Sequence, residues 1–404
     1  MKRTAVLLVI GLLVAVSSAD DSLNVRLVGS CDTPGIAFGI ALEGNHAYIG
    51  AYSAGLRIIN VSNPASPYET GFWASPDHAR GVAAAGDYAY VACGYAGLRV
   101  INVSNPQAPV EVGACALPDY AWGIALAGDH AIVATEDVGL YVVDVSNPAA
   151  PVIAGSCDTP GSAVNVVVAG NHAYVADLSG GLRVIDVSNP QSPIEVGHYV
   201  PGQLAYGVAC SDTFVYLGAV GSLRVVNVAN PAGPFEVGSL ARADVAQGIA
   251  VSGPIVYLGQ GNGGFRVVNA AQPNAPVEVG YYYQTAPNHV VASGDYAWCA
   301  NSYGLRVFEY YGAGIAEERP TPARLPLPTI IRGVLNLTSD FSVLTSDFVL
   351  LDASGRKVLD LAPGPNDVRH LSPGVYFIRS SQELPRRQHA TRSSALVRRV
   401  LLVR

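Results

Sequence analysis

The sequence predicts an all-β chain: a seven-bladed β-propeller followed by a small Ig-like β-sandwich domain. Three observations lead to this fold class. One apolar motif recurs seven times at a nearly constant spacing, and each copy lies in a unit of four short strand candidates. The 404 residues include 43 Gly and 27 Pro but only 14% charged residues, a composition typical of short strands joined by tight turns.

The repeated motif reads GLRVIDV at residues 181–187. Its second residue stands at positions 56, 98, 140, 182, 223, 265 and 305, so the spacing is 40 to 42 residues. Periods of this length are typical of propellers and solenoids. Because the motif is an almost continuous apolar run, it indicates a strand that is buried on both faces, as in sheets stacked around a common axis.

Each unit contains four strand candidates, which in the second unit are residues 81–85, 88–93, 98–103 and 110–115. Gly-Asp or Gly-Asn turns join the first two strands, since tight hairpins need residues that tolerate positive φ. A Ser-Asn-Pro-x-x-Pro connection, as at 104–109, joins the last two, because proline cannot donate to a strand ladder. Four strands make one propeller blade.

An arginine in the third strand and a glutamate in the fourth occur together in five units, which predicts that they are cross-strand neighbours. In the third unit both change, to Tyr141 and Ile153. The five pairs are Arg57 with Glu69, Arg99 with Glu111, Arg183 with Glu195, Arg224 with Glu236, and Arg266 with Glu278.

The seventh unit supplies only three strands, and residues 25–29 match the missing fourth strand. We therefore expect the N-terminal strand to complete the last blade and close the ring, which would otherwise keep an unpaired edge. Leu27 stands where glutamate is expected, so Arg306 is predicted to lack the usual partner. An open superhelix is the alternative topology.

The string GLRVIDVSNP at residues 181–190 resembles the LVIVD-repeat proteins of bacteria and archaea. The resemblance extends over roughly residues 23–312 and recurs in all seven units. It implies a propeller on an exported or surface protein. It does not imply any catalytic residue.

Four segments are predicted: a signal peptide at 1–19, the propeller at 20–314, a Pro-rich linker at 315–330, and a C-terminal secretion or sorting domain at 331–404. The signal peptide has a basic start, an apolar run and a small-residue cleavage site. The apolar run is shorter than the about 20 residues of a bilayer span, so no membrane span is expected in the mature chain. The predicted location is secreted or on the outer cell surface.

The C-terminal region has strand candidates at 333–337, 347–352, 357–361, 375–379 and 397–403. The sequence LSPGVYFIR at 371–379, with the basic end at 398–404, is similar to the sorting domain of type IX secretion cargo. This resemblance implies transfer across the outer membrane, with the secretion machinery as partner. The usual Pro-Asn-Pro opening is replaced by residues 326–329, and an ordinary Ig-like accessory domain is the alternative.

The residue that precedes each innermost strand varies from blade to blade, whereas the hairpin and Ser-Asn-Pro turns are almost unchanged. Variation on a constant framework is typical of binding surfaces. Aromatic residues in these positions can stack on a sugar or clamp a peptide, and the alternative is that the side chains only plug the channel. The predicted ligand-binding residues, called the variable ring below, are Phe38, Arg80, Trp122, Val164, Tyr206, Gln247 and Asn288.

Other candidate groups are assigned structural roles. Glu136, Asp137 and Asp177 lie on different blades without metal-ligand spacing and are predicted to be solvated loop acids. His78 and His289 lie near the variable ring but have no evident nucleophile or carboxylate partner. We predict no catalytic residue, no metal site and no cofactor, and we interpret the six cysteines as small apolar thiols.

The first functional hypothesis is a non-enzymatic exported propeller scaffold that binds a protein or glycan through the variable ring. The second is an exported propeller hydrolase or lyase acting on polysaccharide, and the third a passive adhesin or spacer. An enzyme should place converging carboxylates or a metal set before the innermost strands, and the sequence has none there. The acidic balance of residues 1–314 argues against nucleic acid as a partner.

Overall fold

The computed structural model divides the chain into two compact units, residues 1–314 and 315–404. The structure describes residues 22–211, 213–241, 244–312, 329–331, 334–337, 348–351, 357–361, 364–367, 374–380 and 397–402. The predicted signal peptide lies outside the described residues, as does nearly all of the predicted linker. In the described part of the chain, no helix combines the length and apolar character needed to cross a membrane.

The first unit is a seven-bladed β-propeller, which confirms the predicted fold class. Each blade is an antiparallel sheet of four strands, which run in order from the channel outwards, and blade 6 carries an added edge strand. Blade 1 contains Gly39–Glu43, His46–Gly50, Leu56–Asn60 and Tyr68–Trp73; blade 2 contains Val82–Ala85, Tyr88–Ala92, Leu98–Asn102 and Val110–Cys115; and blade 3 contains Ala121–Ala127, His130–Thr135, Gly139–Asp144 and Val152–Cys157. Blade 4 contains Asn165–Ala169, His172–Ala176, Leu182–Asp186 and Ile194–Tyr199, and blade 5 contains Ala205–Cys210, Phe214–Ala219, Ser222–Asn227 and Phe235–Ala241. Blade 6 contains Gly248–Ser252, Ile255–Gly259, Phe265–Asn269, Val277–Tyr282 and the edge strand Ser22–Leu23, and blade 7 contains Pro287–Ser293, Tyr296–Asn301, Gly304–Tyr310 and Val25–Asp32. A single turn of 3-10 helix, Gly261–Gly263, lies between the second and third strands of blade 6.

The core consists of apolar layers between neighbouring blades, and one layer joins blade 7 to blade 1. In that layer Ile40 and Ile49 of blade 1 pack with Trp298 and Val307 of blade 7. The layers account for the continuous apolar runs in the sequence, because both faces of each blade are covered. Each fully buried large apolar side chain contributes about 1.5 to 3 kcal/mol, so these layers supply most of the stability of the ring.

The ring is closed by the N-terminal strand. Val25–Asp32 pairs with Gly304–Tyr310 as the fourth strand of blade 7, in a register that sets Val25 opposite Tyr310 and Asp32 opposite Gly304. The described chain is therefore a closed ring and not an open superhelix. Arg306 lacks the usual glutamate, as predicted, and contacts the Asp32 carboxylate at 2.7 Å instead.

The fourth strand of every blade contains a β-bulge, which changes the geometry of the repeated ion pair. In blade 2 the register shifts between Glu111 and Gly113, so Glu111 stands opposite Ile101 instead of Arg99. Arg99 Nη1 still reaches Glu111 Oε1, diagonally, at 2.9 Å. The equivalent distances in blades 1, 4, 5 and 6 are 3.2, 3.2, 3.3 and 3.5 Å, so the predicted cross-strand neighbours are confirmed.

The glycine that follows the bulge explains why the Ser-Asn-Pro connection is repeated. A Cβ added to Gly113 would lie 2.1 Å from the carbonyl oxygen of Pro148 in the connection of blade 3. The same close approach recurs at Gly29, where the distance to Pro64 O is also 2.1 Å. Only glycine permits the outer strand of one blade to lie directly against the connection of the next.

The second unit contains a five-stranded and a two-stranded sheet, which include all five strands predicted for this region. The order in the larger sheet is Thr329–Ile331, Val397–Leu402, Gly374–Ser380, Phe348–Leu351 and Lys357–Leu361, and the smaller sheet pairs Val334–Leu337 with Gly364–Asp367. The pair formed by Thr329–Ile331 and Val397–Leu402 is parallel, and the other pairs are antiparallel. Residues 371–373 of the sorting motif lie outside the described residues.

Candidate functional site

The innermost strands of the seven blades surround a central channel with a volume of about 730 Å³. All seven residues of the variable ring line this channel, as their position before or at the start of the innermost strand predicts. The loop between the second and third strands lies at the same end, because Tyr52, Gly94 and Leu178 each form a β-bridge with the segment that enters the next blade. The structure therefore brings the two variable sets of loops together on one face.

A glycine follows several residues of the variable ring, and it lets the innermost strands of neighbouring blades approach each other closely. A Cβ on Gly39 would lie 2.2 Å from the carbonyl oxygen of Arg80, and one on Gly81 would lie 2.7 Å from that of Trp122. The amide of Gly81 donates a hydrogen bond to Trp122 O at 2.9 Å. The backbone at the channel mouth is thus held from blade to blade, which gives the ring side chains a defined spacing.

Arg80, which precedes the innermost strand of blade 2, is surrounded by aromatic rings from the two flanking blades, 1 and 3, and their loops. Its guanidinium carbon lies 3.6 Å from the ring centroid of Trp122 and 4.6 Å from that of Phe38. Tyr52 and Tyr120 lie at 5.2 and 5.4 Å. All four distances are within the range of cation–π attraction, so the positive charge is held against the negative faces of the rings.

The Tyr120 hydroxyl, which His78 also contacts, fixes the position of Arg80. Arg80 Nε donates a hydrogen bond to the Tyr120 hydroxyl at 2.9 Å, and His78 Nδ1 lies 3.0 Å from the same oxygen. His78 in turn stacks on Tyr52, with ring centroids 3.7 Å apart. Burial raises the pKa of Tyr120, against a smaller opposing effect of Arg80, so the hydroxyl remains protonated at neutral pH.

The opposite side of the mouth has a different character. Val164, Tyr206, Gln247 and Asn288 line it, and none of them has a cation–π or ring contact among the described residues. Asn288 donates a hydrogen bond from Nδ2 to Ala37 O at 2.9 Å, which ties blade 7 to blade 1. The mouth therefore has an aromatic, positively charged half on blades 1 to 3 and a weakly polar half on blades 4 to 7.

Beyond the mouth, the channel is lined by Gly, Ala, Val, Ile and Leu, together with Asn165 and His289. No described residue that lines the channel is a carboxylate. The site can therefore bind an apolar group below the ring and an anionic group at Arg80. It does not place an acid and a base on opposite sides of a bound substrate.

The sequence of this chain matches the model of a known protein family. The family described as "LVIVD repeat" matches residues 34–74, 76–116, 118–159, 160–200, 202–241 and 244–284, more than half of the chain. The chain belongs to the LVIVD repeat family. The six matches correspond to blades 1 to 6 of the LVIVD propeller, whereas the resemblance had been extended to all seven units. Blade 7 is divided between two distant segments of the chain, and neither segment is a whole repeat.

Solved structures are similar to the LVIVD propeller in fold alone. The computationally designed protein Ika8 matches with a TM-score of 0.52 and 11% identity over 70% of this chain and 99% of that chain. U3-55K matches with a TM-score of 0.59 and 11% identity over 70% and 98%, and the WD40 repeats of RRP9 with 0.59 and 10% over 70% and 97%. No curated protein matches the sequence.

The prediction that His78 has no carboxylate partner within reach is wrong, because its Nδ1 lies 3.5 Å from Asp77 Oδ1. The Tyr120 hydroxyl lies 3.0 Å from the same nitrogen. Asp77 was missed because it is the neighbour in sequence, and Tyr120 because it is 42 residues away. The repeat could have identified Tyr120, because Tyr120 occupies the position in its repeat that His78 occupies in the preceding one.

Asp177 also corrects the sequence analysis, because it is a fully buried acid and not a solvated one. Its carboxylate accepts hydrogen bonds from Thr159 Oγ1 at 2.7 Å and from Gly161 N at 2.9 Å, and Arg183 Nε lies 3.4 Å away. Burial raises the pKa of Asp177, and these three partners oppose the shift. The side chain ties the loop that enters blade 4 to the third strand of that blade, whereas Asp137 is exposed as expected.

The remaining reactive side chains do not form a second site. None of the six cysteines forms a disulfide, and burial raises the pKa of Cys93 to about 12, so it carries no thiolate at neutral pH. Cys31, Cys157 and Cys210 are only half-buried. Across the described ranges, no group of three or more His, Cys, Asp or Glu side chains has the geometry to hold a metal ion.

Proposed function

We propose that this LVIVD propeller is an exported binding protein without catalytic chemistry, which takes a protein or glycan ligand at the channel mouth through the variable ring. The observation that carries the proposal is the open channel of about 730 Å³, lined by all seven ring residues. At about 30 Å³ per water molecule, this volume holds on the order of twenty waters, so the ring side chains do not fill it. Release of such water from apolar walls favours ligand binding.

The propeller hydrolase or lyase is the rival function, and the position of the reactive groups argues against it. His78, Arg80 and Tyr120 form a hydrogen-bonded group that resembles a set of acid and base residues. Only Arg80 of the three lines the channel, and the Tyr120 hydroxyl is used to hold Arg80. A base must reach the proton that it removes, so this group fits a role in positioning Arg80 better than one in catalysis.

The binding function is tested with the triple variant Phe38→Ala, Trp122→Ala and Tyr206→Ala. We expect it to lose the ligands that the wild-type chain captures from glycan and peptide arrays, because it removes the aromatic surface of the mouth. A matched control replaces three exposed aromatic residues of outer strands: Tyr68→Ala, Phe72→Ala and Phe235→Ala. Wild-type capture by the channel triple variant would show that the ring is not the binding site, as expected of an adhesin or spacer without a discrete pocket, and turnover of an arrayed polysaccharide would establish an enzyme.

The proposal includes export by two signals, the signal peptide at 1–19 and the C-terminal domain at 331–404, with secretion machinery as the partner of the latter. The similarity of residues 371–379 to type IX sorting domains supports this part. We expect that a chain lacking residues 331–404 crosses the inner membrane, loses its signal peptide and stays in the periplasm. Its appearance in the medium or on the outer surface would show that the domain is an accessory module.

A further inference from the structure

Arg80 differs from the other arginines of the propeller in its charge partner. The other described arginines of this unit, Arg26, Arg57, Arg99, Arg183, Arg224, Arg266 and Arg306, each lie within 3.5 Å of an Asp or Glu carboxylate. No ion pair joins Arg80 to a carboxylate of the described residues, and aromatic rings surround it instead. The fold thus keeps one positive charge at the channel mouth without a described carboxylate at ion-pair distance.

The terminal nitrogens of Arg80 are available to a ligand. Its Nε is bound by Tyr120, whereas Nη1 and Nη2 have no hydrogen-bond partner in the described part of the chain. Neither nitrogen is among the buried polar atoms that lack a partner, so both have some exposure to solvent, and Arg80 lines the channel. Two adjacent N–H donors on a guanidinium held by four rings form a preorganised receptor for the two oxygens of a carboxylate.

We propose that Arg80 binds the carboxyl terminus of a peptide whose last side chain is apolar, an inference that rests on the proposed binding function. The last residue of a peptide carries a carboxylate and a side chain on the same Cα. The carboxylate lies at Arg80, the side chain enters the apolar channel below the ring, and the peptide extends outwards from the mouth. An acidic sugar also carries a carboxylate, but its hydroxyl groups would lose hydrogen bonds to water against Ala, Val, Ile and Leu.

The channel mouth offers groups that match a peptide backbone. The innermost strand of each blade is the last strand of its sheet, so one row of its N–H and C=O groups takes no part in strand pairing. Gln247, on the half of the mouth that lacks aromatic clusters, adds a side-chain amide that lines the channel. Unpaired strand edges and amides bind peptide backbones by hydrogen bonds, as in β-strand addition.

The proposal is tested by calorimetric titration of the mature chain with two peptides, N-acetyl-Gly-Ala-Val-Leu as the free acid and as its C-terminal amide. A charge-assisted pair of hydrogen bonds is expected to make the acid bind about tenfold to a hundredfold more tightly than the amide. Arg80→Gln should abolish that difference, and Arg80→Lys should restore part of it, because lysine keeps the charge without the planar fork. Arg26→Gln is the matched control, since it removes the same charge from an exposed position on the outer strand of blade 7 and should keep the full preference for the acid.

The outcomes separate this inference from the function on which it rests. Equal binding of acid and amide, with loss of both in the Phe38, Trp122 and Tyr206 triple variant, would overturn the carboxylate site and leave the binding function in place. Binding of trigalacturonate but of neither peptide would overturn it in favour of an acidic glycan. Absence of any peptide binding also contradicts the inference, and wild-type array capture by the triple variant would remove the binding function proposed for the ring. If Arg80→Gln does not fold, the comparison of acid and amide on the wild-type chain and on Arg80→Lys still decides.

Discussion

Blades 1 to 6 and blade 7 use the same four-stranded sheet but hold their neighbours in different ways. Between most blades, a fourth-strand glycine lies against the carbonyl of a proline in the next connection, as Gly113 does against Pro148. Blade 7 has no such connection, because its fourth strand comes from the N-terminus. Gly280 of blade 6 therefore faces Leu23 O, 2.9 Å from an added Cβ, and Asn24 Nδ2 donates a hydrogen bond to Val279 O at 2.8 Å.

This difference teaches that the repeat builds the blades, whereas the seam, the pairing of residues 22–32 with the outer strands of blades 6 and 7, decides whether they form a ring. The repeated interfaces are local, since consecutive blades are joined by short loops. The seam joins residues that are far apart in sequence, for example Arg26 and Glu309 at 2.7 Å. Contacts of large sequence separation carry a larger loop-closure cost, so closure depends on a few N-terminal residues.

The largest effect is expected from removing the closing strand. A mature chain that begins at residue 33 lacks both Ser22–Leu23 and Val25–Asp32, which exposes the edges of blades 6 and 7. We expect loss of the cooperative thermal transition measured by circular dichroism, together with aggregation on a sizing column. A chain ending at residue 314 is the control, because residues 1–314 form a compact unit of their own. A melting temperature within a few degrees of that control would show that the seam is dispensable.

A glycine substitution at the repeated interface between blades should lower the stability nearly as much as deletion of the closing strand does. Gly113→Ala places a Cβ 2.1 Å from Pro148 O, a backbone atom that cannot rotate away, and we expect a loss of about 3 kcal/mol in unfolding free energy. Gly280→Ala should cost less, because the two-residue edge strand that it meets can shift. Gly128→Ala is the control: its Cβ has open space, and its φ of +58° costs about 1 kcal/mol. Urea denaturation measures all three, and equal losses at Gly113 and Gly128 would contradict the assigned contact.

Blade 7 also carries His289 at the position where most blades have glycine, and this residue predicts a pH dependence. Burial lowers the pKa of His289 to about 4, and its Nδ1 has no partner among the described residues. The unfolded chain binds a proton near the ordinary pKa of about 6.5, so stability falls as pH decreases from about 6.5 to about 4. Because His289 has some access to channel water, we expect a change of about 2 kcal/mol.

Denaturation midpoints measured between pH 4 and 7 check this effect. His289→Gln should flatten the profile over that range, since it removes the group that must be buried without its proton. His198→Gln, at an exposed position on the outer strand of blade 4, is the comparison variant and should change the profile less than His289→Gln does, because its contact with Glu195 is screened by solvent. A profile that keeps its slope in His289→Gln would assign the pH dependence to other groups.

The smallest effect is expected at the ion pairs. Asp32 is 78% exposed, so Asp32→Asn should change the unfolding free energy by less than about 0.5 kcal/mol although it removes the contact with Arg306. Glu111→Gln breaks the half-buried pair with Arg99 and should cost about 1 kcal/mol. Chemical denaturation at low and high salt measures both, and a larger loss at Asp32 would mean that the seam depends on its ion pair.

The period of the sequence was sufficient to predict where residues lie along the blade and around the ring. Phe38 and Trp122 occupy the same place in two repeats, so both had to line the channel once the ring closed. Period alone could not predict what each residue contacts. The exposure of Asp177 was predicted wrongly, because its partners Thr159 and Gly161 lie on the loop that enters blade 4.

The sequence by itself determined the number of blades, the order of their strands and the seven positions at the channel mouth, because the repeat length and the continuous apolar runs are local properties of the chain. Only the tertiary structure decided that Arg80 lies among four aromatic rings and that Tyr120, 40 residues away, binds its Nε. Such contacts depend on how closely adjacent sheets stack and on which rotamers that spacing allows. These are properties of two blades together, which no single repeat contains.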